Sequence, residues 1–151
     1  MTETSLARLA RHFATSPAAR RAVRPLAEGA RVALLLDEGP AGFTLAEGAP
    51  RLEPGPLVDP DFTLRLPSAA VARLTALEGD DVGEAGVAFF RLLLERDPAL
   101  RVEARVQAPT GRLVRHGYLA VLALGGLRVA AFLLTRGLRD PRAVVERLRG
   151  R

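Results

Sequence analysis

Residues 59–77 read DPDFTLRLPSAAVARLTAL, and within them a strand-like period gives way to a helical one. Phe62, Leu64 and Leu66 fall on one face of an alternating segment and Thr63 and Arg65 on the other, the pattern of a half-buried strand. Pro67 and Ser68 end it. Ser68 is placed to accept a hydrogen bond from the first-turn amides, and Val71, Leu74 and Leu77 follow at helical spacing. A short amphipathic helix over 68–77 is therefore expected. A strand that runs into a helix with no catalytic residue type nearby reads as binding scaffold.

Upstream, residues 5–14 and 17–24 are expected as two short helices. Ser16 caps the second, Pro17 takes its first position and Pro25 stops it. ARVALLL (30–36) and GFTLAE (42–47) flank DEGPAG and form a plausible hairpin. EGAP (47–50) is a second turn, and RLEPGPLVDP (51–60) reads as a Pro-rich link. Downstream, Asp81 and Glu84 open a helix expected over 81–96. Its apolar side, Val82, Ala85, Val87, Phe89, Phe90, Leu92, Leu93 and Leu94, sweeps roughly 220° of arc, where one contacting layer needs about 100°. Such a helix should touch two things: the sheet, and another helix, a bound apolar molecule or a second subunit.

Residues 100–107 alternate cleanly, with Leu100, Val102, Ala104 and Val106 inward. GYLAVLALGGLRVAAFLLT (117–135) is apolar on all sides, but Arg128 and the Gly125-Gly126 pair argue for two short buried segments over a membrane span. A basic amphipathic helix over 140–149 carries Val144, Val145 and Leu148 on one side.

The 151 residues, 48% of them hydrophobic, suit one globular domain. No Cys is present and His12 and His116 are the only histidines, which excludes disulfides, thiolate nucleophiles and histidine-rich metal centres. All 22 basic residues are Arg, and Lys, Asn and Ile are absent, a bias that suggests GC-rich coding. The net charge of +5 is distributed as +4 over 1–31, −3 over the centre and +4 over 136–151. The basic ends could reach an anionic membrane surface or pack against the acidic body. Nucleic-acid binding is not expected, because the aromatic residues fall on apolar periodic faces and not among the basic clusters. No signal peptide is evident, and a cytoplasmic location is expected.

Candidate chemistry is sparse. His116 in RLVRHGY has no triad context. EGDD (78–81) lacks the alternating oxygen ligands of a calcium loop, and Asp81 is better explained as a helix cap. Gly125-Gly126 is no phosphate loop, since no Lys-Ser/Thr follows. No catalytic residue, metal or cofactor is assigned.

VALLLDEGPAGFTLAEG (32–48) and DPDFTLRLPSAAVARLTALEGD (59–80) resemble the first hairpin and the Asp-anchored strand, capped helix and acidic turn of the sterol carrier protein type 2 domain. The resemblance covers residues 30–127, although RVEARVQAPTG (101–111) lacks the Gly-Asp turn usual in the family. It implies an α+β fold, a largely antiparallel sheet of about five strands with helices covering one face and an apolar cavity between the layers. The organisation expected is a basic helical lead-in over 1–29, the domain over 30–136 and a basic C-terminal helix over 137–151. The function implied is non-enzymatic binding of an acyl chain, a sterol-like or a polyprenyl molecule. Phe62, Leu74, Phe89, Phe90, Leu93, Leu122 and Phe132 are the expected ligand-lining residues. The competing expectation is a scaffold or homo-oligomerising accessory module with a closed cavity, which buries its surplus apolar surface on a protein partner.

Overall fold

The computed structural model describes residues 3–135 and Arg149. Apart from Arg149, the helix expected over 140–149 and the C-terminal unit over 137–151 lie outside the described residues. Five strands form one mixed sheet, β1 (Arg31–Leu36), β2 (Gly39–Ala46), β3 (Ala49–Pro54), β4 (Phe62–Leu66) and β5 (Glu103–Val106), in the order β3-β2-β1-β4-β5. Three of the four pairings are antiparallel, and β1 with β4 is parallel. With the helices α1 (Ser5–Thr15), α2 (Pro17–Val23), α3 (Ser68–Thr75), α4 (Val82–Leu93), α5 (Thr110–Arg115), α6 (Tyr118–Leu124) and α7 (Gly126–Thr135), the class is α+β.

The register builds the core. Leu52, Phe43, Val32, Phe62 and Val106 stand side by side across all five strands, one row of apolar side chains on one face. Alternation places the next row, Ala41, Leu34, Leu64 and Ala104, on the same face. Helices α1, α3, α4 and α7 cover it with Leu9, Ala70, Val71, Phe90, Leu92, Leu93 and Val129, all buried in one cluster with Val32, Leu34 and Phe43. The lead-in helices belong to this packing, since Leu6, Phe13 and Val23 lie against the cluster and the Phe13 and Phe43 rings are 5.4 Å apart. The opposite face carries Leu35, Thr63, Arg65, Glu103 and Arg105, all partly or fully exposed.

Several local expectations are corrected. The Pro-rich link over 51–60 is in part a strand: Ala49–Pro54 pairs with β2 as β3. Pro50 and Pro54 are tolerated because β3 is an edge strand, where a missing N–H need not face a partner. Ser68 is the first residue of α3, not its cap. Its N–H is received by the Asp37 carboxylate at 2.9 Å, and its Oγ lies 3.2 Å from that of Ser5. Helix α4 ends at Leu93 and not at 96, because the Glu95 carboxylate folds back onto the N–H groups of Arg96 and Asp97. Strand β5 starts later than residue 100, since Leu100 closes a turn on Asp97 and the Val102 N–H is taken by the Leu92 carbonyl of α4. Helix α5 was not expected, its six residues being too few to show a period.

Other expectations match the structure. Asp81 caps α4 by accepting the Glu84 N–H at 3.1 Å, and Ser16 caps α2 with Pro17 behind it. The apolar stretch 117–135 divides at the Gly pair into α6 and α7. It is less buried than expected, for no residue of α6 is fully buried. Among the described residues no helix is long and apolar enough to cross a membrane.

Candidate functional site: an apolar layer pinned by a buried aspartate

The seven residues singled out from the sequence all lie in one contiguous cluster between the sheet and α3, α4, α6 and α7. Phe90 and Leu93 are buried, whereas Phe62, Leu74, Phe89, Leu122 and Phe132 are half-buried and pack around the same core. The Phe89 and Phe90 rings meet edge to face at 5.8 Å, and the Arg91 guanidinium stands 5.8 Å from the Phe132 ring centroid. The two consecutive phenylalanines occupy different sectors of α4 because successive helical residues are about 100° apart. One seals the core and the other faces its margin. The structure does not show an open apolar cavity among the described residues. A shallow cleft between α1, α2 and α4, lined by His12, Ser16, Leu77, Glu78 and Asp81, encloses about 10 Å³, room for one water, and uses none of the seven.

Beside the apolar layer is a polar centre. Asp61, immediately before β4, has a fully buried carboxylate. Its Oδ1 accepts from Arg112 Nε at 2.8 Å, and its Oδ2 accepts from the Arg31 N–H at 3.0 Å, from the Tyr118 hydroxyl at 2.7 Å and from His116 Nδ1 at 2.7 Å. An ionised carboxylate only accepts, so His116 holds its proton on Nδ1 here. Arg112 also spans to the Asp59 carboxylate at 3.1 Å and the Pro60 carbonyl at 3.2 Å. The Asp61 main chain extends the junction: its N–H donates to the Arg31 carbonyl, and its carbonyl accepts from Gln107 and Ala108. One residue thus ties the start of β1, the end of β5, α5 and the first residue of α6.

Burial by itself raises the Asp61 carboxyl, but the hydrogen bonds from His116, Tyr118 and the Arg31 amide outweigh it and hold the group below its ordinary value. Burial, reinforced by the bond to Asp61, pushes the Tyr118 phenol up, so it stays a donor. Tyr118 joins the two regions: its hydroxyl is on Asp61 while its ring meets Phe62 edge to face at 4.9 Å.

Sequence reasoning missed this centre. In the sequence His116 stands without a partner, and nothing local marks Arg112 or Tyr118. Their partner lies more than fifty positions upstream, where no periodic signal reaches. The available hint was an aspartate between a proline and an apolar strand, a costly residue to bury unless cations and donors meet it.

Comparison with known proteins added no relative: neither a family model, nor a curated protein, nor a solved structure matches the chain.

Proposed function

We propose that the protein is a non-enzymatic carrier that holds an apolar ligand, an acyl chain, a sterol-like or a polyprenyl molecule, between the sheet and helices α4, α6 and α7. The observation that carries this reading is α6. Its sequence YLAVLAL is entirely apolar apart from the Tyr118 hydroxyl, yet no residue of it is fully buried, and it lies on the cluster in which Phe62, Leu74, Phe89 and Phe132 are themselves only half-buried. Apolar surface left in that state gains by accepting an apolar guest, at about 0.8 kcal/mol per methylene removed from water. Such a site needs few polar contacts and binds a class, not one compound. The resemblance to the sterol carrier protein type 2 domain points the same way. A cytoplasmic location and delivery to anionic membranes through the Arg-rich ends belong to the same proposal.

The test is mass spectrometry of the purified protein, native and after organic extraction, followed by titration with a fluorescent fatty acid. A stoichiometric apolar molecule, or saturable uptake, is the expected result. An empty protein that refuses the probe would overturn the reading. Phe89→Arg is the variant of choice, because Phe89 is half-buried whereas arginine at Phe90 would enter the core. It is expected to lower uptake at least tenfold with the thermal transition retained.

A second reading, a scaffold that binds a protein partner or a second copy, is favoured by exposed apolar side chains on α5 to α7: Val114 is 53%, Leu124 45% and Leu134 55% exposed. Sedimentation at micromolar concentration separates the two. Self-association that Leu124→Glu abolishes would support the scaffold, and a monomer charged with ligand would support the carrier.

A further inference from the structure

We propose that α6 is a gate over the apolar layer, latched at its first residue by the Tyr118–Asp61 hydrogen bond and hinged at Gly126. The proposal rests on the carrier reading for its purpose, but its geometry is independent of any ligand. A helix of seven residues is too short to persist unsupported, so α6 exists through what it touches. It has no side-chain cap and no fully buried residue. Its attachments are the Tyr118 hydroxyl, which donates to the Asp61 carboxylate at 2.7 Å and accepts from the Arg31 N–H at 3.1 Å, the contacts of Tyr118, Leu119 and Leu122 with the apolar clusters, and its buried C-cap Gly125, where a Cβ would lie 2.3 Å from Val129.

The segments on either side are anchored far better. Before α6, Arg112 and His116 are both bonded to Asp61, and the His116 carbonyl accepts the Ala27 N–H at 2.9 Å. Gly117, at φ +89°, passes so close to Pro25 that a Cβ there would lie 2.0 Å from the Pro25 carbonyl oxygen. After α6, the buried Val129 of α7 packs closely against α4, where a Cβ on Gly86 would come within 2.8 Å of it. Between these anchors Gly126 sits at φ +61° with open space around its Cα, a left-handed position that turns with little steric penalty. The element between a fixed corner and a fixed helix is thus the one helix without a fully buried residue among the described residues. Segments of this kind occupy the low end of local opening free energies. Opening would lift the Tyr118 ring from Phe62 and uncover the margin of the cluster, where the half-buried phenylalanines lie.

The experiment is hydrogen exchange followed by mass spectrometry on the full chain and its Tyr118→Phe variant, beside stopped-flow uptake of cis-parinaric acid. The variant keeps the ring and removes a hydrogen bond to a charged group, a change expected to speed exchange of residues 119–124 by roughly tenfold to a hundredfold. Exchange in β4, in α4 and in β1 beyond Arg31, whose N–H also donates to the Tyr118 hydroxyl, should remain as in the parent, and parinaric acid uptake should accelerate with the α6 amides. Exchange in α6 no faster than in the parent, or accelerated equally across the molecule, would overturn the gate. Should the variant melt globally, Leu122→Ala, which leaves the Asp61 centre intact, supplies the same comparison. A parent protein that takes up no parinaric acid would overturn the carrier reading alone, and the exchange pattern would still decide whether α6 opens.

Discussion

Asp61 shows how a single buried charge is made tolerable. Its carboxylate receives four donors, so removing the charge harms its partners more than itself. Asp61→Asn preserves the size but leaves Arg112 and His116 facing a neutral amide, and loss of one partner from a buried charge cluster costs about 3–5 kcal/mol. Urea denaturation should show that loss as a lower midpoint with an unchanged slope. The same residue sets an acid limit. Its folded-state value lies below the ordinary 3.8, so the unfolded chain takes up the proton first as pH falls. The stability Asp61 supplies is therefore complete above that value and is lost as pH falls through the lower, folded one. A plot of stability against pH should fall below about pH 4 in the parent, and Asp61→Asn should flatten that limb. An unchanged limb would show that other carboxylates govern acid unfolding.

At the scale of elements, the turn between β1 and β2 serves two helices at once. Asp37 receives the Ser68 N–H at the start of α3, and Glu38 receives the Ser5 N–H at the start of α1, at 2.9 and 2.8 Å. These amides hold both carboxyls below their ordinary values. Helix starts leave their first N–H groups without intrahelical partners, and carboxylates satisfy them and complement the helix dipole. The local sequence pointed to Ser68 as the cap of α3, but the cap came from a turn 31 positions upstream. Glu38→Ala is expected to cost about 1 kcal/mol, in the range of a lost cap, and to speed exchange in the first turn of α1 ahead of the rest. Equal exchange in the two proteins would mean that Thr4, which accepts the Ala7 N–H, secures that end by itself.

Over the whole molecule, a single apolar face is shared by all five strands and covered by helices from both ends of the described chain. The sheet has two edges, and β3 guards its own with Pro50 and Pro54, which deny N–H groups to an incoming strand. Replacing both with threonine should leave the fold intact and increase self-association, measured by light scattering on warming. An unchanged scattering onset would place the protection elsewhere. The same scale explains the state of α6. Helices α1, α3, α4 and α7 contribute buried residues to the core over the sheet, whereas α6 contributes none and stays half-exposed.

The sequence by itself determined the elements whose signal is local: the alternating strands, the division at Gly125-Gly126, the capped α4 and the seven apolar residues that meet in one cluster. Periodicity carries such information because every residue in the pattern lies within a turn or two of the next. Tertiary structure alone decided the β3 edge strand, the carboxylates of Asp37 and Glu38 at the starts of α3 and α1, and the Asp61 centre with Arg112, His116 and Tyr118. Each depends on groups far apart in the chain, and a buried charge declares itself only when the fold has brought its donors within hydrogen-bond reach.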